Sequence, residues 1–559
     1  MSRCTSRHTA TNRPPGIGRD WARAGAAVLC GAVALGAATP RAAHAQGVLP
    51  ATGVDVRLGD LRKQFERAFQ TQPSAAVPGW TFTPAIDVVG AWTDSVRPTA
   101  GTGQKADFYT TISPSLAIQG EGPRVSGSLF IAPQFRHYLS TPSQNSTSLN
   151  FNGQSHITLV PETLFLDLRG SAATQSLAGG VGPNSTVSLG RQDEVQTTNL
   201  SASPYLQHRF GGFGLGEIGY SVTRSTVNTA SRAVSSPFLP PVSNQSILTT
   251  SAHAGFTSGE DFGRINFGGQ LRRTDNHGTG TLNGAHRYTE TVTLGYAVTR
   301  SVRVMGSIGH EDIRYASTTP YHVNGLTWNA GVQLTPNPDS TITIGYGRHD
   351  GGTSASLDAS YALTARLRLS AQYSEGLTSG QEDLQQALLN SDVDATGQSV
   401  DHRTGVPLVT DNFFGTQTSP ARVKRLSIMA TLLHDRDVFT FNIRRDESHY
   451  LPTTSGTVLP GTSSTGISTG FGWQHDFSPA LHSNVYLQYG TRDSSGRAGA
   501  GSGTISQQTV AASLGVTYQF TETLSGRAQY SYSGSFGGSS AISPSYAQNL
   551  ILVGLRKTF

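Results

Sequence analysis

The sequence predicts an all-β fold, a transmembrane antiparallel up-and-down β-barrel of about 22 strands (between about 20 and 24) preceded by a short periplasmic amphipathic helix. Three observations predict it. The last ten residues, Leu550 to Phe559, read LILVGLRKTF, an apolar/polar alternation that stops on a terminal phenylalanine. Such a strand has no turn after it and must pair with the first strand of the same chain. From Trp80 onward the chain divides into period-2 segments of about 10–15 residues, long enough to cross a bilayer when tilted. The connections between them alternate between short turns and longer loops rich in Ser, Thr, Gly and Asn, the pattern of periplasmic turns and external loops.

Before the barrel, Arg13, Arg19 and Arg23 precede the apolar run Ala24 to Ala38, and Ala43-His44-Ala45 offers small residues for a signal peptidase. Residues 1–45 therefore read as a signal peptide cleaved before Gln46. Cys30 lies within the run, but Leu29 occupies a position that a lipoprotein signal keeps small, so lipidation is the weaker reading. Residues 46–79 form a periplasmic segment. Within it Leu58, Leu61, Phe65 and Phe69 fall at helical spacing among Arg62, Lys63, Glu66 and Arg67, which predicts an amphipathic helix. It is too small to be the plug of a large transporter, and rests on the periplasmic mouth or partly in the lumen, or docks a partner.

Cleavage changes the charge and the redox reading. The chain has 41 Lys+Arg and 36 Asp+Glu, and residues 1–45 hold six arginines and Asp20, so the mature chain is 41 − 6 = 35 basic against 36 − 1 = 35 acidic. Global charge thus gives no reason to expect nucleic acid as a partner. Cys4 and Cys30 leave with the signal, which excludes disulfides, Cys-ligated metals and Cys nucleophiles. After Gln46 no apolar stretch is long enough to cross a bilayer as a helix.

The barrel occupies 80–559. Its segments lie at roughly 80–94, 106–119, 124–138, 147–159, 163–175, 197–210, 214–226, 245–258, 262–275, 286–299, 302–315, 324–335, 340–350, 354–363, 367–376, 422–434, 438–450, 465–476, 482–492, 508–520, 524–534 and 546–559. In one of them Val510, Ala512, Leu514, Val516, Tyr518 and Phe520 share a face opposite Thr509, Ser513, Thr517 and Gln519. Longer loops are expected near 176–196, 227–244, 276–285, 451–464, 493–507 and 535–545. The connection between 340–350 and 354–363 is short where a long one is due. The longest loop, 376–421, carries a helix-like stretch at Gln381 to Asn390 and reads as an external lid, with a folded-in constriction as the alternative.

Soluble-enzyme motifs fail on context. Gly214-Leu-Gly-Glu-Ile-Gly219 matches a dinucleotide fingerprint but opens a strand where that motif needs a strand–turn–helix. Gly466-Ile-Ser-Thr-Gly470 matches a nucleophile elbow, yet Ser468 lies inside an alternating strand. The 16 histidines show no His-Glu-x-x-His pair, and neighbours such as His310-Glu311-Asp312 point to opposite faces of a strand. No catalytic group, cofactor or metal is expected, and a rim hydrolase is the least favoured of three functions.

Continuing each alternation inward places Arg136, Arg169, Arg209, Arg264, Arg272, Arg368, Arg444 and Arg527 in the lumen with Asp167, Glu217, Asp358 and Asp446. These charges cross-pair to stiffen the wall, or present arginines to anionic solutes. Trp80, Trp92, Trp328 and Trp473 read as interfacial anchors or wall residues. At the closing strand Ile551, Val553, Leu555 and Phe559 form the barrel-closing and insertion signal, and Lys557 departs from it where an apolar residue is usual.

The segment Gly79-Trp-Thr-Phe-Thr-Pro-Ala-Ile-Asp-Val-Val-Gly-Ala-Trp-Thr-Asp-Ser-Val96 resembles the opening of the exosortase/PEP-CTERM-associated outer-membrane barrels, a branch of the β-barrel porins that includes exopolysaccharide-locus proteins. Ile112 to Gly122, Leu164 to Arg169 and Arg436 to Arg445 resemble later strands of that family. The resemblance implies a Gram-negative outer-membrane location and a link to exopolysaccharide export; it carries no catalytic residue. The expected function is a pore or export-associated channel for polar solutes or exopolysaccharide, with an anchoring barrel that binds partners through loops or the helix as the alternative. Expected partners are the outer-membrane bilayer, the insertion machinery and polysaccharide export components, with both termini periplasmic.

Overall fold

The computed structural model describes residues 79–96, 105–176, 191, 194–229, 244–279, 282–315, 321–379, 382–383, 391–393, 399–401, 420–451, 463–498, 501–537 and 545–559. The expected signal peptide and the Leu58 to Phe69 helix lie outside them, as does most of Gln381 to Asn390.

The strands are β1 (Gly79–Thr93), β2 (Asp107–Glu121), β3 (Val125–Tyr138), β4 (Ser146–Val160), β5 (Leu164–Ser176), β6 (Glu194–Arg209), β7 (Gly214–Thr229), β8 (Gln245–Ser258), β9 (Ile265–Gly278), β10 (His286–Ala297), β11 (Val302–Tyr315) and β12 (Tyr321–Leu334). They continue as β13 (Thr341–His349), β14 (Gly352–Ala362), β15 (Leu367–Ser379), β16 (Ser391–Val393), β17 (Ser399–Asp401), β18 (Pro420–His434), β19 (Asp437–Tyr450), β20 (Ser463–Ser478), β21 (Leu481–Ala498), β22 (Gly501–Thr521), β23 (Leu524–Gly537) and β24 (Tyr546–Thr558). All but β16 and β17 belong to one 22-stranded antiparallel sheet, in which each strand pairs with the next. The sheet closes because β24 pairs with β1, from Ala85↔Thr558 to Thr93↔Leu550. Closure leaves no free edge, the condition for a sheet to sit in lipid.

The seam carries side-chain bonds besides its ladder. Asn549 donates through its backbone N–H and its amide to the two Asp94 carboxylate oxygens, at 2.9 and 2.6 Å. Gln548 donates to Thr93 Oγ1 and to the Ser95 carbonyl. Ile551, Val553 and Leu555 lie on the exposed face of β24, and the Phe559 N–H reaches the Pro84 carbonyl at 2.9 Å. Lys557 Nζ donates to Thr523 Oγ1 at 2.6 Å, so its charge is held at the short-turn end.

Prolines lie within the wall where a central strand normally excludes them. The β2–β3 ladder breaks between Ile112↔Phe135 and Leu116↔Ile131, where Pro114 and Pro133 occur. Neither proline has an N–H to leave unpaired, and Ser113 Oγ donates to the Pro133 carbonyl at 3.1 Å. Pro204 sits in a similar gap between β6 and β7.

One expectation changes and another is explained. Residues 493–507 form no long loop: β21 and β22 stay paired to Ala498↔Gly501. Gly and Ser there have little side chain to pack, but a ladder is made by backbone and tolerates them. The short connection after β13 is a two-residue Asp350-Gly351 hairpin with φ of 52° and 74°, the left-handed pair of a type I′ turn. Substituting Asp94 by Ala is expected to cost about 1–3 kcal/mol by orphaning the Asn549 donors. A lower temperature for the loss of heat-modifiable gel migration would show it, and an unchanged one would mean that the ladder alone holds the seam.

Candidate functional site in the barrel lumen

Alternation divides each strand into a lipid face and a lumen face. Val292, Ile308 and Trp328 stand in one row of exposed apolar residues across β10, β11 and β12, so the residues between them face the lumen. At the short-turn end the lumen face is open to solvent: Gln119, Gln372, Gln474, Asn484 and Gln519 are all exposed. Toward the long-loop end it is shut away. Asn150, Asn199, Ser225, Ser448, Ser533 and Gln548 face inward and are buried.

The charges read from the sequence fall into three sets. Several are paired: Arg136 with Glu194 at 2.8 Å, Asp167 with His156 at 2.7 Å, Glu217 with His253 at 3.2 Å, and Arg444 with Asp446 at 2.7 Å. Asp446 also receives Arg425 at 2.9 Å. Others occupy ladder positions: Arg169 opposite Gln154, Arg272 opposite His253, Asp358 opposite Gln372, Arg368 opposite Thr431 and Arg527 opposite Gly554, with Arg209 ending β6. Arg264 directly precedes β9, whose start a 3-10 turn over Glu260–Phe262 delays to Ile265, and its carbonyl accepts the Ala297 N–H at 2.9 Å.

The closure of the long-loop end left one trace in the sequence, the short connection between 340–350 and 354–363. There the wall overlaps itself at two places. In the first, β13 and β14 are short, and β14 pairs with β15 only from Leu357↔Tyr373 onward, whereas β15 stays paired to β18 up to Ser379↔Pro420. The upper end of β15 is thus a free edge. Leu377 continues the lipid-side face of β15, yet it is buried in one cluster with lumen-facing Ile247, Ile313 and Tyr315, with Tyr321 and Val323 packed against it. That contact requires the top of β15 to run on the lumen side of β11 and β12.

Side chains replace the missing neighbour strand. The N–H and C=O of one residue point to the same side of an antiparallel strand, and at Leu377 both are taken. The N–H donates to Asp350 Oδ2 and the C=O accepts from Arg287 Nη2, each at 2.9 Å. Arg287 Nη1 also donates to Asp350 Oδ1 at 2.7 Å. Glu311 accepts the Asp350 and Gly351 N–H groups at 2.8 and 2.9 Å, and Arg422 donates to the Asp350 carbonyl. Burial alone would raise the Asp350 carboxyl, but Arg287, His349 and the Leu377 N–H hold it well below the usual carboxylate range. Burial raises the nearby Glu382, against the pull of Arg287.

The second overlap joins β6 to β4. Pairing of β4 with β5 stops at Phe151↔Ala172, while β5 and β6 continue to Ser176↔Glu194. Here the exposed edge is Leu149, and one amide satisfies it: Gln196 Oε1 accepts its N–H and Gln196 Nε2 donates to its C=O, both at 3.0 Å. Glu194, on the lipid-side face of β6, reaches lumen-facing Arg136, so the β5–β6 tip also lies inside the wall.

The β15–β18 loop starts inward as well. Asp383 accepts from Arg425 Nη2 at 2.6 Å and from Thr378 Oγ1 at 3.1 Å. Farther along it, β16 and β17 form a two-stranded ribbon, and β16 comes within 8 Å of β4, Cα to Cα. In the ring of 22 strands β15 and β4 are 15 − 4 = 11 apart, half a circuit. Among the described residues this loop therefore reaches the far wall, an arrangement that a lid across the mouth and a folded-in constriction share.

No family model matches the chain, and no curated protein matches it. Among solved structures it is similar to the siderophore receptor PirA from Acinetobacter baumannii (10% identity, 87% of this chain and 81% of that one, TM-score 0.47). It is also similar to the FrpB iron transporter from Neisseria meningitidis (8%, 89% and 83%, TM-score 0.48) and to Pseudomonas aeruginosa OpdK with vanillate (8%, 86% and 99%, TM-score 0.34).

Substituting Asp350 by Ala is expected to free the N–H of Leu377 and to leave Arg287, which holds the Leu377 C=O, without its carboxylate partner; a buried polar group left unpaired costs about 1–3 kcal/mol. Amide exchange across 374–379 should then accelerate; unchanged protection would show that the apolar cluster alone holds the tuck. Because the folded Asp350 value is depressed, its contribution is complete above its unfolded value of about pH 4 and is lost only as pH falls through the lower folded one. Exchange at Leu377 should accordingly be insensitive to this carboxyl between about pH 5 and 8. The chain is a closed 22-strand antiparallel β-barrel.

Proposed function

We propose that this barrel is a gated outer-membrane channel for hydroxyl-rich polar solutes, saccharide chains among them, and not an enzyme. In this reading residues 1–45 direct export and are removed, residues 46–79 stay in the periplasm, the long-loop end faces the exterior and both termini are periplasmic. The direction rests on the short turns and long loops. The observation that carries the reading is the polarity gradient along the lumen: amides open to solvent at one end, buried hydroxyls and amides behind two tucked rims and a crossing ribbon at the other.

Side-chain amides and hydroxyls donate and accept at once, which suits a ligand made of hydroxyls. Among the described residues the side chains of Arg169, Arg209 and Arg368 make no hydrogen bond or ion pair, and would favour acidic sugars. The resemblance of Gly79 to Val96 to exopolysaccharide-associated barrels supports the same solute class, with export components as partners.

The test is single-channel recording in planar bilayers of three forms: wild type, Asp350→Ala, and a form in which 380–419 is replaced by a short Gly-Ser turn. Wild type is expected to conduct weakly or intermittently, and the loop-replaced form steadily and several-fold more. Added neutral oligosaccharide should block that current. Silence of all three across the voltage range would leave the anchoring barrel as the function.

A further inference from the structure

The outward face of β9 to β12 changes character just beyond the lipid-facing rows. In register order, Gly269, Val292, Ile308 and Trp328 form an apolar row, and in the next Leu271 and Leu326 flank Glu290 and His310. Beyond it come Arg273, Tyr288, Asp312 and Asn324, and then Asp275, His286, Arg314 and His322. Residues facing one another across a ladder stand about 5 Å apart at Cβ. Arg314 is therefore walled on two sides by imidazoles.

One carboxylate holds the His322 ring from below and lies near that of His286. His322 Nε2 lies 2.8 Å and His286 Nε2 3.9 Å from Asp312 Oδ1. Asp275 is already taken by Arg273 at 2.9 Å. Arg314 is exposed and, among the described residues, makes no hydrogen bond or ion pair. The corresponding charges on β18 and β19 differ: there Glu447 lies 4.0 Å from Lys424 and 3.1 Å from His449, so they pair with one another.

Height selects the occupant. His322 is four residues beyond Leu326, which raises it about 10 Å above the apolar edge for a strand tilted as in large barrels. At that level a barrel wall meets neither acyl chains nor bulk water but lipid headgroups. A planar guanidinium with open N–H groups suits a phosphate oxygen pair. We propose that His286, Arg314 and His322 form a docking site for the phosphate of a phosphorylated glycolipid headgroup in the surrounding leaflet, with Asp312 orienting the imidazoles and Trp328 and Leu326 packing on the upper acyl chains. The site stands apart from the lumen and does not depend on what passes through it.

Native mass spectrometry of the full chain released from detergent, with diphosphorylated lipid A as the probe and dephosphorylated lipid A as its match, tests this. Wild type should retain the phosphorylated form preferentially, and Arg314→Ala should weaken that retention about tenfold, the loss of one charge-assisted contact. Arg314→Lys should recover part of it, and Arg445→Ala, an outward arginine on β19, should behave as wild type. Heat-modifiable migration of each variant establishes that it is folded. Equal retention by Arg314→Ala and wild type, equal retention of the dephosphorylated probe, or the same loss in Arg445→Ala would overturn the site.

Discussion

Everything in this barrel follows from the peptide group's need for a partner where water is scarce. Over most of the wall the neighbouring strand supplies it. Where a strand's neighbour ends early the need persists, and side chains meet it. Asp350 and Arg287 act together on Leu377, a charged pair serving one N–H and one C=O. Gln196 serves Leu149 alone, its carboxamide standing in for a peptide unit. Breaks in the ladder at Pro114, Pro133 and Pro204 meet the same constraint from the other direction, by removing the donor.

These substitutions let the wall depart from a cylinder. A barrel of 22 strands is on the order of 40 Å across between backbones, too wide for wall side chains to fill. Drawing β5–β6 and β15–β18 inward narrows it from nearly opposite sides, and the β15–β18 loop reaches β4 through its β16–β17 ribbon. Polar residues at the loop end become buried without any separate plug among the described residues. The exposed amides at the turn end mark where the narrowing stops.

The fold was legible because lipid and lumen impose opposite chemistry on alternate residues, as in Val510 to Phe520, and because loop lengths alternate. Glycine and serine were misleading at 493–507, since a ladder needs no side chains to continue. The start of β9 shifts to Ile265 because of one short 3-10 turn that no periodicity reports. The overlaps were invisible for a deeper reason: whether Leu377 faces lipid or lumen depends on where β14 stops pairing, which is a property of two strands and not of either alone. One trace was present in the sequence, the connection at Asp350-Gly351 that was short where a long loop was due. For Gln196 there was none, because one glutamine in a loop-to-strand boundary carries no pattern.

That short hairpin has a bearing on the surface outside. β13 is 9 residues long, against 18 for β21 and 21 for β22. At about 3.3 Å per residue and a barrel tilt, nine residues rise little beyond the apolar band of the membrane. The rim is therefore a slope, with a high parapet at β21–β22 and a threshold at β13–β14 nearly level with the headgroups. A long molecule lying along the membrane surface would meet its lowest obstacle there, beside the strands that carry His286, Arg314 and His322.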